Sequence, residues 1–308
     1  MQIAEEEPSR DYVTIKTYKG YRGDIHNHII PHFGNKRLNQ IDRFDIKNWQ
    51  DYLLKTASPY VARAASGCLS SALTDAALWG YIDASPYVKG LRVPLPASTR
   101  EFWQPSEAKQ FLEHETVQAH DYYLAYYLCI HLGLRVAELR GLFWSDITTV
   151  TNFDGQSFPQ IFVQRQAKGD KHLPEFTKRM KTQKSRRHIP LADSTLELLK
   201  RYKLEYDTVR ASKEHWHNPV IIYTENGMSP TGSHLRTEFY ELCNQIGLKQ
   251  ITLHGLRHTA GSLWLQAGRP LPVVSAMLGH SDTSITSRIY IHAFPEIVAA
   301  AGFSLDEI

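Results

Sequence analysis

The sequence contains few cysteines, no long apolar run and little net charge, and each absence excludes a class of protein. Only three of the 308 residues are cysteines, and they are widely spaced. A disulfide framework or a cysteine zinc site is therefore not expected, and a reducing cytosol fits. No apolar stretch approaches the roughly 20 residues that a membrane helix needs, and the acidic N-terminus lacks the apolar region of an export signal. We expect a soluble cytoplasmic chain with no membrane partner.

The length and the distribution of charge say more than the average composition. A chain of 308 residues predicts two domains, because single cores usually stop growing near about 250–300 residues. The net charge of +3 permits a nucleic-acid partner but does not require one. Between residues 165 and 187, however, nine lysines and arginines stand against two acidic residues. This concentration of positive charge favours a nucleic-acid partner.

The N-terminal part reads as an acidic tail, residues 1–11, followed by a helical domain, residues 12–90. Its second helix is predicted to begin at Asp42 or Asp45. The apolar face of that helix is predicted to contain Phe44, Ile46, Trp49, Tyr52 and Leu53. A third, Ala/Ser-rich helix is expected at 58–80. Two prolines in the segment 91–101 favour the extended backbone of an interdomain linker.

The second domain, residues 102–294, begins with Pro105 at a plausible first helical position, and its helix is predicted to continue through Leu142. Segments 160–164 and 187–191 have the pattern of strands. They predict a small antiparallel sheet within an otherwise helical domain. Helices are expected to resume after the sheet, at 193–206, 233–246, 254–267 and 271–278. The predicted fold class is mainly α with a small antiparallel sheet in the C-terminal domain.

Two pairs of residues one helical turn apart could address a phosphate. Arg135 and Glu138 are either a surface pair worth under about 1 kcal/mol, or a carboxylate that orients a guanidinium towards a phosphate. His254 and Arg257 share a helix face. With 15 histidines in the chain, a His-x-x-Arg pattern is expected about once by chance.

Three further residue types would complete a machine that breaks a phosphodiester. A basic turn offers Lys181 or Lys184 as a proton donor, and nothing in the composition distinguishes them. His280 stands between two helix ends, where a structural histidine is the ordinary reading, and Tyr290 is one of 16 tyrosines. Two guanidiniums can bind the phosphate, a lysine and histidines can transfer protons, and a tyrosine can hold the cut end. The sequence predicts neither a cofactor nor a metal, since Gly255 replaces the glutamate of a zinc-protease pattern.

These segments, in this order, resemble the tyrosine recombinases of the phage-integrase type. The matching segments are Gly133-Leu134-Arg135-Val136-Ala137-Glu138-Leu139, Lys181 followed by Ser185-Arg186-Arg187-His188-Ile189-Pro190-Leu191, His254-Gly255-Leu256-Arg257-His258-Thr259, Leu278-Gly279-His280-Ser281 and Ile289-Tyr290-Ile291-His292. The similarity extends to the N-terminal half through His28-Ile29-Ile30-Pro31-His32-Phe33-Gly34 and Ser85-Pro86-Tyr87-Val88-Lys89-Gly90.

The resemblance implies a site-specific DNA recombinase that works through a 3′-phosphotyrosine and integrates or excises a phage or other mobile element. Its catalytic residues would be Arg135, Lys181, His254, Arg257, His280 and Tyr290, with Glu138 in support. Lys181 is preferred to Lys184 because its offset from Pro190 is similar to the family's spacing. The alternatives are a Xer-like resolvase, a type IB topoisomerase-like enzyme and a non-catalytic DNA-binding relative.

The resemblance also implies an assembly on DNA in the bacterial cytosol. A helical, SAM-like core-binding domain and a catalytic domain would close around double-stranded recombination sites as a clamp. The tail, residues 295–308, would be exchanged between the protomers of a homo-tetramer, and DNA-bending accessory proteins could assist. An additional arm-binding domain is expected to be absent from this chain. Candidate DNA contacts are Lys16, Lys19, Arg22, Arg63, Lys184, Arg186 and Arg187.

Overall fold

The computed structural model describes residues 15–96, 101–151, 154–170, 174–177, 186–212 and 219–280. The chain divides into two compact units, residues 1–99 and 100–308, and the division falls within the segment 91–101 that the sequence predicts as a linker. Helices dominate the described residues, and all the described strands lie in small antiparallel sheets of the second unit. The predicted fold class is therefore confirmed. Among the described residues, no helix has both the length and the apolar character needed to cross a bilayer.

The first unit begins with a helix that changes its pitch near a proline. Helix α1 (Ile15–Asp24) continues through a π-helical turn (Ile25–Ile29) into the short helix α2 (Ile30–Phe33). Pro31 has no N–H group, and its ring would collide with a carbonyl four residues earlier in a regular α-helix. The wider π turn relieves that collision. It also turns the carbonyl of His28 towards Trp49, whose indole Nε1 donates to it at 3.0 Å.

Two capped helices complete the first unit, α3 (Arg43–Thr56) and α4 (Pro59–Leu78). The N-cap of α3 is Asp42, one of the two residues at which the sequence predicts that this helix begins. Its carboxylate accepts from Asp45 N at 2.8 Å, and the Asp45 carboxylate accepts from Asp42 N at 3.2 Å. Ser58 caps α4, with a proline at the first helical position. These local signals explain why both helices begin where the sequence predicts.

The buried face of α3 differs in part from the prediction. Ile46, Trp49 and Leu53 pack against α4 in the core of the first unit, as predicted. Phe44 and Tyr52, however, are 79% and 55% exposed. A helix turns about 100° per residue, which places Phe44 about 160° and Tyr52 about 120° away from Ile46 around the axis. The prediction that these two rings belong to the apolar face is therefore wrong.

The second unit opens with four helices where the sequence predicts one. They are α5 (Pro105–Glu113), α6 (Glu115–Gln118), α7 (Tyr123–Leu132) and α8 (Val136–Leu139). His114 adopts an extended conformation between the first two. Gly133 ends α7 in the left-handed region at φ 59°, and Arg135 is extended before α8. The prediction of a continuous helix through Leu142 is wrong, because periodicity alone does not reveal these breaks.

A small antiparallel sheet follows α8, as predicted. The strands are β1 (Ile147–Thr151), β2 (Ser157–Val163), β3 (Gln166–Lys168), β4 (Glu175–Thr177) and β5 (Arg187–Pro190). β2 lies between β1 and β5, while β3 and β4 form a separate hairpin. The register places Ile161 opposite Ile147 on one side and Ile189 on the other. Because side chains alternate along a strand, Arg187 lies on the same face of β5 as Ile189.

The remaining helices surround a core built on α7. They are α9 (Asp193–Ala211), α10 (Gly232–Gln245), α11 (Leu253–Gln266) and α12 (Leu271–Leu278). Three short 3-10 turns complete the described elements, at Leu38–Gln40, Lys89–Leu91 and Trp144–Asp146. Trp103, Phe111, Tyr126 and Phe239 form a buried aromatic cluster. This cluster joins α5, α7 and α10, and α11, which carries His254 and Arg257, packs against α7.

Candidate active site

The first part of the site is the turn between α7 and α8. A Cβ on Gly133 would lie 2.8 Å from Leu278 Cδ2, so this left-handed position also requires the absence of a side chain. Two residues later, Arg135 precedes α8, and its backbone N–H donates to Glu138 Oε2 at 3.0 Å. Arg135 and Glu138 therefore lie at the beginning of a short helix. The sequence predicts them instead within a helix that continues through Leu142.

Glu138 is a buried carboxylate surrounded by three guanidiniums. Its side chain is 1% exposed and receives Arg135 Nη1 at 2.5 Å and Arg187 Nη2 at 3.0 Å. Arg187 Nη1 is 3.2 Å from Oε1, and Arg257 Nη1 is 3.8 Å from Oε2. Burial by itself would raise the pKa of Glu138. The charge and hydrogen bonds of Arg187, followed by the charges of Arg135 and Arg257, outweigh burial and lower that pKa to about 2.

The same three arginines bind the carboxyl end of α12. Arg187 Nε donates to Met277 O at 2.5 Å, Arg257 Nη2 donates to Leu278 O, and Arg135 Nη2 donates to Gly279 O at 3.3 Å. The last carbonyls of a helix lack partners within it and carry partial negative charge. Three guanidiniums are well suited to that end. The arginines therefore hold α12 against α8, β5 and α11.

Gly279 allows this close approach. It ends α12 in the left-handed region at φ 66°. A Cβ there would lie 3.1 Å from Arg187 Cδ and Nη1. A larger residue would therefore be strained and would also press on Arg187. The helix end, the glycine and the guanidinium together determine where the next residue, His280, is placed.

His280 lies in the field of these charges. Burial is the largest cause that lowers its pKa, followed by the charges of Arg257, Arg135, His254 and Arg187, and the pKa falls to about 4. The imidazole is therefore neutral near pH 7. It can donate one N–H to an anion without carrying charge itself. Charged or titratable groups from three distant parts of the sequence, Arg135, Arg187 and the pair His254 and Arg257, therefore act on His280.

The helix α11 supplies His254 and Arg257 with different exposures. Thr252 caps this helix through a bond from Gly255 N at 3.0 Å. His254, in its first turn, is exposed, whereas Arg257 is buried and donates to Gly133 O at 2.7 Å. His254 packs edge-on against the buried His258, with ring centroids 4.7 Å apart. Arg257 therefore supplies its charge from beneath the surface that His254 reaches directly.

The other predicted site residues have different outcomes. Lys181, Lys184 and Tyr290 lie outside the described residues, as does the side chain of Lys16. Lys19 and Arg22 are exposed one turn apart on α1, and Arg186 is exposed before β5. Arg63 is partly buried, and its guanidinium donates to Val93 O. In the described part of the chain, no group of three or more His, Cys, Asp or Glu side chains is arranged to hold a metal ion.

Arg187 corrects one of the sequence predictions. It was expected to contact DNA from the surface, but its side chain is 5% exposed and is bonded to Glu138 and Met277 O. A guanidinium in this position cannot also reach a DNA backbone. The strand pattern contained the signal, since period two places Arg187 on the inward face with Ile189. The neighbouring lysines and arginines instead favoured the interpretation of Arg187 as a surface residue.

Comparison with known proteins agrees with the geometry. Residues 101–296 match the Phage integrase family, and residues 6–54 match the Phage integrase, N-terminal SAM-like domain. A XerC-like tyrosine recombinase of Caldanaerobacter subterraneus is 26% identical over 97% of this chain and 79% of its own length. The ICEBs1 integrase of Bacillus subtilis is 23% identical over 94% of this chain and 77% of its own length.

Two solved structures show the same fold. The Tn1549 transposon integrase in complex with transposon right end DNA matches with a TM-score of 0.76 at 19% identity, over 94% of both chains. A lambda integrase dimer bound to a core site matches with a TM-score of 0.67 at 19% identity, over 91% of this chain and 90% of the other. The fold and the family match together define a tyrosine-type site-specific DNA recombinase. The chain belongs to the phage integrase family.

Proposed function

We propose that this recombinase cleaves and rejoins double-stranded DNA with Tyr290 as its nucleophile. The observation that carries the proposal is the cluster of Arg135, Arg187 and Arg257 around the single carboxylate of Glu138. Three positive charges against one negative charge leave an excess beside a neutral imidazole. Such an arrangement attracts a phosphate diester and the additional negative charge that develops during displacement.

The proposed reaction conserves the energy of the cleaved phosphodiester bond in a covalent bond to the protein. The Tyr290 oxygen would attack the phosphorus, forming an O–P bond while the bond from phosphorus to the 5′ oxygen breaks. The tyrosine proton would pass to His254, and Lys181 would donate a proton to the departing 5′ oxygen. Attack by a 5′-hydroxyl on the resulting 3′-phosphotyrosine reverses these steps and reseals the strand. No external energy source is required.

The described residues would divide the stabilisation of the phosphate among them. Arg135 is 35% exposed at its side chain and is bonded to Glu138, so it can contact a non-bridging oxygen in a fixed orientation. Arg257 would contribute charge from the buried side. His280, neutral and adjacent to Gly279, would donate its N–H to the other non-bridging oxygen. Lys19, Arg22 and Arg186 remain candidates for contacts to the DNA backbone.

The proposed substrate is a pair of recombination sites in double-stranded DNA, and the proposed assembly is a homo-tetramer. A lambda integrase tetramer bound to a Holliday junction has the same fold, with a TM-score of 0.67. The ICEBs1 integrase and the Tn1549 transposon integrase are named for mobile elements. We propose integration and excision of such an element as the biological reaction.

Covalent trapping tests the chemistry. A nicked suicide substrate that carries a candidate attachment site should accumulate a protein–DNA adduct, and mass spectrometry should locate the link at Tyr290. Tyr290→Phe should bind the DNA and form no adduct. An adduct at another residue, or an adduct formed by Tyr290→Phe, would refute the assignment of the nucleophile.

A second assay separates the alternatives that share this chemistry. Two duplexes of different length should exchange strands, giving recombinant products. Relaxation of supercoiled DNA without exchange would instead identify a topoisomerase-like enzyme. Reaction at a chromosomal dimer-resolution site, but not at element ends, would identify a Xer-like resolvase. Specific binding without any adduct would identify a non-catalytic relative.

A further inference from the structure

Arg187 occupies a position that is unusual for an arginine in a basic segment. It begins β5, pairs with Val163 of β2 and is almost completely buried. A buried guanidinium is strongly unfavourable unless it is paired and hydrogen-bonded. Here two of its bonds go to the Glu138 carboxylate, at 3.2 and 3.0 Å. The pairing explains how the charge is tolerated at that position.

The guanidinium joins three segments that are distant in the sequence. Its Nε donates to Met277 O at 2.5 Å, one residue before the end of α12. Its Nη atoms bind Glu138 on α8, and its aliphatic part lies against Gly279. Arg135 depends on the same carboxylate, and His280 follows the same helix end. Both groups that face a phosphate in the proposed mechanism are therefore held in part by Arg187.

We propose that Arg187 is a positioning residue for DNA cleavage. It holds Glu138, and through it Arg135, and it holds the end of α12, and through it His280, without touching DNA. This inference rests on the proposed function of the site. It assigns to Arg187 a role different from that of the exposed Arg186 beside it.

The geometry explains why an arginine is needed. A guanidinium has donors in a rigid planar fork, so it can bind a carboxylate and a separate carbonyl in fixed directions. Lysine would supply the charge as a point and could not reproduce all three bonds. Methionine would retain part of the packing volume and lose both charge and bonds. Comparing the lysine and methionine variants therefore separates the effect of the positive charge from the effect of the directed hydrogen bonds.

The test measures DNA affinity and single-turnover adduct formation for the full chain. Arg187→Met should slow adduct formation about 10- to 100-fold, the range found when the hydrogen-bond partner of a metal ligand is removed. The Kd for DNA should stay within about twofold of the original, because no phosphate contact is removed. Arg187→Lys should recover part of the lost rate. A phosphate contact would behave differently, because its removal weakens binding and lowers the salt dependence by about one unit.

The pH dependence gives a readout that simple destabilisation does not move. The charged and titratable groups facing Glu138 are Arg135, Arg187 and Arg257, together with the thiol of Cys129. Without Arg187 the pKa of Glu138 rises, so the deficit of Arg187→Met should grow as the pH is lowered. Arg187→Lys should keep a pH profile closer to that of the original protein.

A double-mutant cycle and a matched control complete the experiment. Because Arg187 acts in part through Glu138, the double variant Arg187→Met with Glu138→Gln should lose less rate than the product of the two single losses. Arg165 is a suitable control, since it is also nearly buried and pairs with the buried Asp146 at 2.5 Å. Arg165→Met should lose thermal stability but keep the cleavage rate and pH profile of its folded fraction.

The outcomes distinguish this inference from the proposed function. If the original protein forms no adduct at Tyr290, the proposed function is refuted, and this inference, which rests on it, is refuted as well. The inference alone is overturned if the original protein reacts and Arg187→Met reacts equally fast. It is also overturned by a parallel loss of DNA affinity, by an equal loss in Arg165→Met, or by multiplicative losses in the double variant. Should Arg187→Met fail to fold, Arg187→Lys and its cycle with Glu138→Gln decide the question.

Discussion

Replacement of Glu138 by glutamine removes one charge from the centre of the site with little change in shape. Each carboxylate oxygen of Glu138 accepts two hydrogen bonds. Oε1 accepts from the Nη1 atoms of Arg135 and Arg187. Oε2 accepts from Arg135 N and from Arg187 Nη2. In either orientation of the amide, its NH2 group would face two N–H donors. We therefore expect Glu138→Gln to destabilise the second unit.

The magnitude follows from the perturbed ionisation of the carboxyl group. Its pKa falls from 4.5 to about 2 on folding. At about 1.4 kcal/mol per unit, that shift corresponds to about 3 kcal/mol, and breaking a buried ion pair typically costs about 3–5 kcal/mol. Because the pKa is lower in the folded state, this stabilisation is complete above pH 4.5. It is lost as the pH falls from there towards 2.

Urea unfolding of the full chain, followed by tryptophan fluorescence, measures the effect. At pH 7, Glu138→Gln should lower the free energy of unfolding by about 3 kcal/mol, and the difference should shrink below pH 4.5. Glu197→Gln is the matched control, since Glu197 is 68% exposed and pairs with Lys200 at 2.7 Å. Its loss should stay below about 1 kcal/mol. Equal losses in both variants, or a loss at Glu138 that does not change with pH, would refute the electrostatic argument.

Three further predictions address His280, the turn before Arg135 and the core of the first unit. The pKa of His280 is lowered from 6.5 to about 4, so NMR titration of its imidazole should show no protonation between pH 8 and 5.5; a midpoint near 6.5 would contradict this. Because the unfolded chain takes up that proton first, His280 should make folding less favourable as the pH falls from 6.5 towards 4. Gly133→Ala should lower the stability by about 1–3 kcal/mol, because its Cβ would lie 2.8 Å from Leu278. Gly155→Ala, which has open space around the Cβ, should lower the stability less. Thermal denaturation of the two variants measures the difference. Leu73→Ala should cost about 2–5 kcal/mol and the exposed Leu78→Ala on the same helix under about 0.5 kcal/mol; similar values would show that the core has been assigned wrongly.

Features that depend on a few neighbouring residues could be predicted from the sequence. Asp42 and Ser58 begin helices because their side chains accept bonds from N–H groups three residues later. Segments 160–164 and 187–191 become paired strands because their β-rich pattern is bounded by turns. The motifs around Arg135, Lys181, His254, Arg257, His280 and Tyr290 indicated the family through their order along the chain. The caps and strands can each be read within one segment, and the family is read from the order of the segments.

Other features depend on contacts that no single segment contains. Phe44 and Tyr52 are apolar but lie on the side of α3 that has no partner in the core of the first unit. Position 133 cannot hold a side chain because Leu278, far along the chain, fills the space where its Cβ would be. The pairing of Arg187 with Glu138 spans 49 residues, and its bond to Met277 O spans 90.

The amino-acid sequence by itself determined most of the helices, the caps of α3 and α4, the small sheet, and the chemical types available for the reaction. The tertiary structure decided which arginine faces outwards and which supports the site from beneath. The reason is energetic: a guanidinium is stable in the interior only where distant segments together provide a carboxylate and helix-end carbonyls. That meeting of α8, β5, α11 and α12 is a property of the folded chain, and local sequence patterns do not encode it.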